Sequence, residues 1–277
     1  MQPLEALKKI DKVEITTAVD TSVIISNILD AKKRNLTPIY DNPAWREEMP
    51  IAIVGGGPSL SSQLDNLRKY KYIMACGSVH DYLIENNIMP TWCIICDPDP
   101  LMLNYLKKIQ LNCQYLIASQ CAPELFDRFI YIPYLGYKPK VFMWHCGGDK
   151  FDPKTFGDSE VSLGGGCTVG TRAMVMALSF GYNIQHLFGF DTCLDGDKHH
   201  AYEFNDPNVE TVGHIVQIQL EDNPDSKKFL VAGYMLGQFF DFKNLLGRYA
   251  NKIKVTIYGD GLLKHLMDIA IEKSKDN

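Results

Sequence analysis

Two short segments of the chain combine glycines with hydroxyl residues where a helix is about to begin. They are Gly55-Gly56-Gly57-Pro58-Ser59-Leu60 and Gly164-Gly165-Gly166-Cys167-Thr168-Val169-Gly170-Thr171. Consecutive glycines let a backbone come close to a phosphate, and a helix N-terminus supplies free N–H groups and the positive end of its dipole. Pro58 suits a first helical turn, where its missing N–H is not needed. In the second segment Thr168 and Thr171 add hydroxyls next to the amides. Neither segment matches GxGxxG or GxxxxGK[ST], so neither a dinucleotide fingerprint nor a P-loop is expected. One such turn reads as simple backbone geometry; two in one domain point to a nucleotide-type ligand, with Gly55, Gly56, Gly57, Pro58 and Ser59 on one side of it and Gly166, Thr168, Val169 and Gly170 on the other.

Acid–base chemistry has fewer candidates. Asp97 and Asp99 in CDPDP could hold magnesium, bind ribose hydroxyls or cap the helix expected from Leu101, and capping accounts well for only one of them. His199 and His200 lie in a polar loop after Asp191; histidine suits proton transfer near neutral pH, and exposed, idle rings are the alternative. His145 and Asp149 in WHCGGD are weaker candidates, and His214 reads as structural. Cys93 and Cys96 form a CxxC, but positions three apart on a strand face opposite sides and there is no second CxxC, so a metal site is not expected there.

Stepping along the chain, short apolar runs alternate with helical segments. IAIVGGG, YKYIMACG, WCIICD and CQYLIASQ read as strands, the first three followed by helices over Ser59–Lys69, Val79–Asn87 and Leu101–Ile109. Residues 130–160 are aromatic- and proline-rich and look irregular. Gly170–Gly181 reads as helix and IQHLFGFD as a strand ending at Asp191. A polar stretch over 192–228 has a hairpin signal around Val212–Leu220, and helix, strand and helix follow over Met235–Tyr249, Ile253–Ile257 and Leu263–Lys273. This alternation implies an α/β domain with a mostly parallel, doubly wound sheet and helices on both faces over residues 49–277. Residues 1–48 read as a helical arm, with Val23, Ile24, Ile25, Ile28 and Leu29 apolar, and a polar, proline-bearing linker over Asn35–Pro50. In such sheets ligands bind outside the carboxyl ends of the strands, which adds Gly77, Ser119, Gln120 and Asp191 to the candidate site.

The bulk numbers set limits. The chain has 277 residues, 46% of them hydrophobic, with a net charge of -5. That charge gives no electrostatic case for nucleic acid or an anionic membrane. No run approaches a membrane span, and the N-terminus lacks a basic-then-apolar signal, so a cytoplasmic location is the expectation. The cysteines, six of them in or beside apolar runs (Cys76, Cys93, Cys96, Cys113, Cys167, Cys193), read as reduced and buried. Assembly into a homo-oligomer is compatible with all of this.

GGGPSL after the first strand, CDPDP after the third, and GGGCTVGTRAMVMALSFGYNIQHLFGFD followed by HHAY together resemble the MptE-like superfamily. That group includes the motility-associated-factor flagellin glycosyltransferases and the archaeal 6-hydroxymethylpterin diphosphokinases. More distantly, the chain is similar to the bacterial sialyltransferases with a GNGPSL turn. The likeness spans roughly residues 50–265. It implies a transferase with a Rossmann-like, GT-A-type sheet and a nucleotide-linked donor: a CMP-type sugar in the glycosyltransferase branch, ATP with magnesium on Asp97 and Asp99 in the diphosphokinase branch. The acceptor would be a carbohydrate, a protein or a pterin. The resemblance places the donor on Gly55, Gly57, Pro58, Ser59, Thr168, Val169 and Gly170, and its phosphate on Tyr202. Gly56 stands where the sialyltransferases have Asn, and Asp97 where their third strand ends in Asn. Their general-base histidine has no counterpart in VAGYMLGQFFDF, where Tyr234 stands instead. The base is therefore expected at His199 or His200, and a non-catalytic nucleotide-binding protein is the remaining alternative.

Overall fold

The structure, a computed structural model, describes residues 19–39, 49–130, 138–148, 157, 160, 162–204, 215–220 and 226–275. The first expected strand is β2 (Ile51–Val54), every residue of it buried, and β3 (Ile73–Cys76) and β4 (Trp92–Ile95) are equally buried. Such strands must be covered on both faces, which is why they read as continuous apolar runs rather than alternating ones. β5 (Gln114–Ala118) follows, and then β6 (Lys140–Cys146), β8 (Ile184–Phe188) and β11 (Lys254–Tyr258). All are paired in parallel, in the order β6-β5-β4-β3-β2-β8-β11. The chain thus steps outward from β2 to β6, then returns through α5 (Val169–Ser179) to lay β8 on the other side of β2. The switch point of this doubly wound sheet is the crevice between β2 and β8.

Two expectations needed correction. β6 lies inside the stretch read as irregular: its first three residues are exposed or half-buried, so its apolar signal is only four residues long, and Pro139 adjoins it. The helices expected over Ser59–Lys69 and Leu101–Ile109 are mostly 3-10 turns, Pro58–Gln63 leading into the short α2 (Leu64–Leu67), and Pro100–Asn104. Both begin with proline at the first position, and both are short, as runs of the tighter 3-10 form usually are. α3 (Val79–Glu85), α6 (Gly233–Tyr249) and α7 (Leu262–Lys275) lie close to the spans read from sequence. The hairpin signal is met by β9 (Val216–Gln219) pairing antiparallel with β10 (Lys228–Val231), while residues 212–214 lie outside the described residues.

The arm is tied into this body. Its helix, α1 (Thr21–Lys33), starts on an Asp20 cap whose carboxylate accepts from Ser22 N, and ends on Lys32 and Lys33. β1 (Thr37–Pro38) then pairs in parallel with Phe142 and Met143 of β6, and β7 (Ser162–Leu163) takes the same edge further along, at His145 and Cys146. Arg34 bridges Asp127 of α4 (Pro123–Ile130) at 2.5 Å, and the buried Asn27 donates to Gln120 O at 3.0 Å. Residues 40–48 of the expected linker lie outside the described residues. All the cysteines are free; all but Cys167 are buried, and that one is exposed because it sits in the turn that opens α5 rather than in a strand. Among the described residues, no helix is long and apolar enough to cross a membrane.

Candidate functional site

The first glycine turn leaves β2 and runs straight into the end of β8. Gly55 N donates to Phe188 O (2.8 Å), Gly57 N to Gly189 O (3.0 Å), and Ser59 N to the Asp191 carboxylate (2.9 Å); Leu60 N closes the 3-10 turn on Gly57 O (3.1 Å). These amides, expected to face a phosphate, are therefore used within the fold. The glycines serve close approach of backbone to backbone: a Cβ on Gly55 would lie 2.7 Å from Gly189 O, and one on Gly57 2.2 Å from Asp191 Oδ2. Pro58 opens the turn, as its fixed φ favours. Asp191 is 4% exposed, and burial raises its pKa, an effect that the Ser59 hydrogen bonds oppose.

The loop from Asp191 to Phe204 folds back over this turn. Ala201 N donates to Gly56 O (2.9 Å), and a Cβ on Gly56 would meet His200 Cδ2 at 2.5 Å and the Tyr202 hydroxyl at 2.6 Å. Asparagine is thus barred from position 56 unless the loop moves. The Tyr202 hydroxyl bonds Ser78 Oγ (2.6 Å) beside the Tyr82 ring, and burial pushes its pKa up, so it stays a neutral phenol. His200 is stacked on Phe204 at 4.3 Å, and Phe204 on Tyr105 at 4.5 Å. Its neighbour points elsewhere. His199 Nδ1 lies 2.7 Å from the hydroxyl of Tyr234, in the first turn of α6, and its other ring nitrogen has no partner among the described residues. Tyr234, where the resemblance expects a histidine, thus meets a histidine carried by a different segment.

The second glycine segment opens α5. Thr168 caps it, its side chain accepting from Thr171 N, and Gly170 packs so tightly on Phe190 that a Cβ would lie 2.9 Å from the ring. Cys167 N donates to the Asp241 carboxylate (2.6 Å), which also fills the Cβ direction of Gly166. Gly164, in contrast, has nothing within 4 Å of its Cβ direction. Val169 is half-buried at the first helical position.

The remaining candidates spread along the same edge. Gly77 ends β3 with φ +54, a turn geometry that favours glycine, and a Cβ there would touch Met102. At the end of β4 the Asp97 carboxylate accepts from Asp99 N (2.9 Å) and the Asp99 carboxylate from Leu101 N (2.8 Å), so local capping accounts for one oxygen of each. At the end of β5 the Gln120 amide donates to Cys96 O, while buried Ser119 bonds His145 Nδ1 (2.7 Å). His145 Nε2 meets Glu160 at 3.1 Å, and Lys32 of α1 bridges the same carboxylate. Burial lowers the His145 pKa against the pull of Glu160. Ser119 therefore faces inward, away from a ligand, and β5 lies three strands from β2, roughly 14 Å at the usual strand spacing. Asp149 and His214 lie outside the described residues. No group of three or more His, Cys, Asp or Glu side chains is arranged to hold a metal among the described residues. Sequence reasoning missed Asp241, whose setting in FFDF within a helix carries no signal.

Residues 6–197, well over half of the chain, match the family described as 6-hydroxymethylpterin diphosphokinase MptE-like. The chain belongs to the MptE-like family. The match begins within the arm, so it takes in the residues of α1 and β1 as well as the strands from β2 to β8. No curated protein matches the sequence. Among solved structures, the chain is similar to the MAf glycosyltransferase from Magnetospirillum magneticum AMB-1, with a TM-score of 0.64 and 19% identity over 89% of this chain and 38% of that one. It thus spans about two fifths of that protein, and the likeness is one of fold. A mammalian sialyltransferase (TM-score 0.42, 13% identity, 93% of this chain and 84% of that one) and the Campylobacter jejuni sialyltransferase CstII (0.40, 14%, 79% and 84%) are looser, too loose to bear on the site.

Proposed function

We propose that this MptE-like chain is a transferase acting on a nucleotide-linked donor, of the glycosyltransferase kind, with a CMP-type sugar as donor and His199 as general base. The pairing of His199 Nδ1 with Tyr234 at 2.7 Å carries this reading. With Nδ1–H donating to the Tyr234 oxygen, the lone pair of Nε2 is left to take a proton from an acceptor hydroxyl, and Tyr234 fixes the ring that must do so. The donor phosphate would lie near Tyr202 and the opening turn of α5, where the neutral phenol and the helix amides can stabilise the charge that develops on the leaving group. His200, wedged between Gly56 and Phe204, holds the loop rather than a proton.

The test is His199→Gln assayed with CMP-, CDP-, UDP- and GDP-linked sugars. Turnover should fall by the ~10²–10⁴ typical of a lost general base while donor affinity stays nearly intact. Tyr234→Phe should lower turnover less and shift its pH profile. Unchanged turnover in His199→Gln would remove the histidine from the reaction.

The family's own description favours a second reading, an ATP-dependent diphosphokinase acting on a pterin. Asp97 is exposed at the end of β4, and the Asp97 and Asp99 carboxylates each accept one backbone amide there. Magnesium is commonly held by one or two carboxylates with water and substrate phosphates, so these two residues suit it; its chemistry would be to neutralise the transferred phosphates. Turnover of a nucleotide sugar in excess chelator would favour the first reading. Loss of activity with chelator and with Asp97→Asn would favour the second.

A further inference from the structure

A cavity of about 510 Å³ that the transferase reading does not use lies beside the central strands. Pro50, just before β2, and Tyr72, just before β3, line it from the amino ends of those strands, and Tyr258 lines it from the last position of β11. Its size falls within the range of small-molecule pockets. Two of its walls are cationic, Lys69 and Lys71, and no Asp or Glu is among the described residues that line it, although the protein as a whole has a net charge of -5. Lys69 spends one donor on Asn66 Oδ1 (2.9 Å), and Lys71 lies over the Tyr72 ring at 5.1 Å. Both lysines are exposed, so their charges cost little to keep.

Behind them is a chain of proton carriers. The Tyr70 hydroxyl bonds His186 Nδ1 and lies 3.2 Å from the Tyr258 hydroxyl. Tyr258 is in turn stacked on Phe188 at 4.4 Å, with the planes 7° apart. Each phenol has one proton. If His186 Nδ1–H donates to Tyr70 and Tyr70 to Tyr258, the Tyr258 proton is left to donate into the cavity; the reverse order leaves an acceptor there instead. An anion selects the first arrangement, and a donor at the end of such a chain is strengthened by the bonds behind it. Three tyrosine rings supply flat apolar surface.

The geometry points to a second ligand site, for a small molecule that carries one anionic group beside a planar ring. The anion meets Lys69, Lys71 and the Tyr258 hydroxyl, and the ring lies against the tyrosines. This site is independent of the transferase chemistry.

The test uses the full chain and three probes, phenyl phosphate, benzoate and inorganic phosphate, titrated by calorimetry or chemical-shift mapping. A ring-bearing anion should bind saturably with a dissociation constant on the order of a millimolar, as so small a ligand allows. Which of phenyl phosphate and benzoate binds better tells a phosphate site from a carboxylate one. Inorganic phosphate should bind at least ~10-fold more weakly, since it lacks the ring. Lys69→Ala with Lys71→Ala, two exposed positions that leave the fold intact, should weaken binding ~10-fold or more, and Tyr258→Phe about threefold. His199→Gln should leave it unchanged. No saturation below about 10 mM, equal binding of inorganic phosphate, binding that survives the double lysine change, or competition by CMP or ATP would each overturn the assignment.

Discussion

At the first glycine turn a carboxylate from across the fold, Asp191, takes the Ser59 amide at 2.9 Å; at the second, Asp241 takes the Cys167 amide at 2.6 Å. Both turns thus hold an anion of the protein's own where a phosphate was expected, but the settings differ. Asp191 is 4% exposed and hemmed in by Gly57 and Gly261, neither of which has room for a Cβ beside it. Asp241 is half-buried, Cys167 beside it is exposed, and Gly164 faces open space. The first turn is a packing joint between β2 and β8. The second is a helix N-terminus whose capping carboxylate is only half-buried. The same residue composition thus forms a closed joint in one place and a more open turn in the other, and the difference between them is the burial of the carboxylate.

Substitutions should separate the two. The largest effect is expected at the joint: Gly57→Val drives a side chain into Asp191 and into Gly189 O, so it should cost about 3 kcal/mol or more in urea unfolding, or prevent folding. Its φ of -58 suits any residue, so the cost comes from contact rather than from backbone strain. A Gly57→Val protein of normal stability would mean that β2 and β8 are not joined as described.

Asp191 offers a pH test with a definite sign. Burial raises its pKa in the folded state above that of the unfolded chain, so the folded state binds the proton more tightly. The stability due to this proton is fully present below the unfolded carboxylate range and is lost as pH rises through the folded pKa. Asp191→Asn, which keeps an oxygen for Ser59 N, should therefore stabilise the protein at pH 7, and that advantage should shrink as pH falls toward 4. Urea midpoints at the two pH values decide it; an advantage that grows on acidification would reverse the assignment.

At the second turn, Asp241→Asn keeps an oxygen for Cys167 N, so it should cost less than the ~1 kcal/mol of a lost helix cap. By removing a competing negative charge it should also tighten binding of a nucleotide donor several-fold, read by thermal shift. Unaltered or weaker donor affinity would separate this turn from the donor. The smallest effect is expected at Gly164→Ala, which meets nothing within 4 Å and should stay within ~0.5 kcal/mol of the parent.

Much of the scaffold was legible because the central strands are covered on both faces. Four-residue runs such as Ile51–Val54 and Ile73–Cys76 are apolar throughout and are set off by glycine, so their type and place are local properties. β6 was not legible, since Lys140, Val141 and Phe142 are only partly covered and its pattern never becomes a full apolar run. The site divides the same way. That Gly55–Ser59, Asp191 and the loop with His199 and His200 that follows it belong to one edge could be read from strand ends, while Tyr202 came from the family resemblance. The duties of these residues could not be read so.

The elements, the parallel sheet they imply and the edge at which chemistry gathers are legible in the chain's local pattern, because periodicity and turn residues act over a few positions. The meeting of Tyr234 with His199, 35 residues earlier, and the reach of Asp191 and Asp241 to amides 132 and 74 residues away come from the packing of the folded chain. Those partners are set by the return of the chain from β6 across to β8, which places distant segments side by side. A carboxylate selects the nearest unsatisfied amide in space, and sequence distance has no part in that choice.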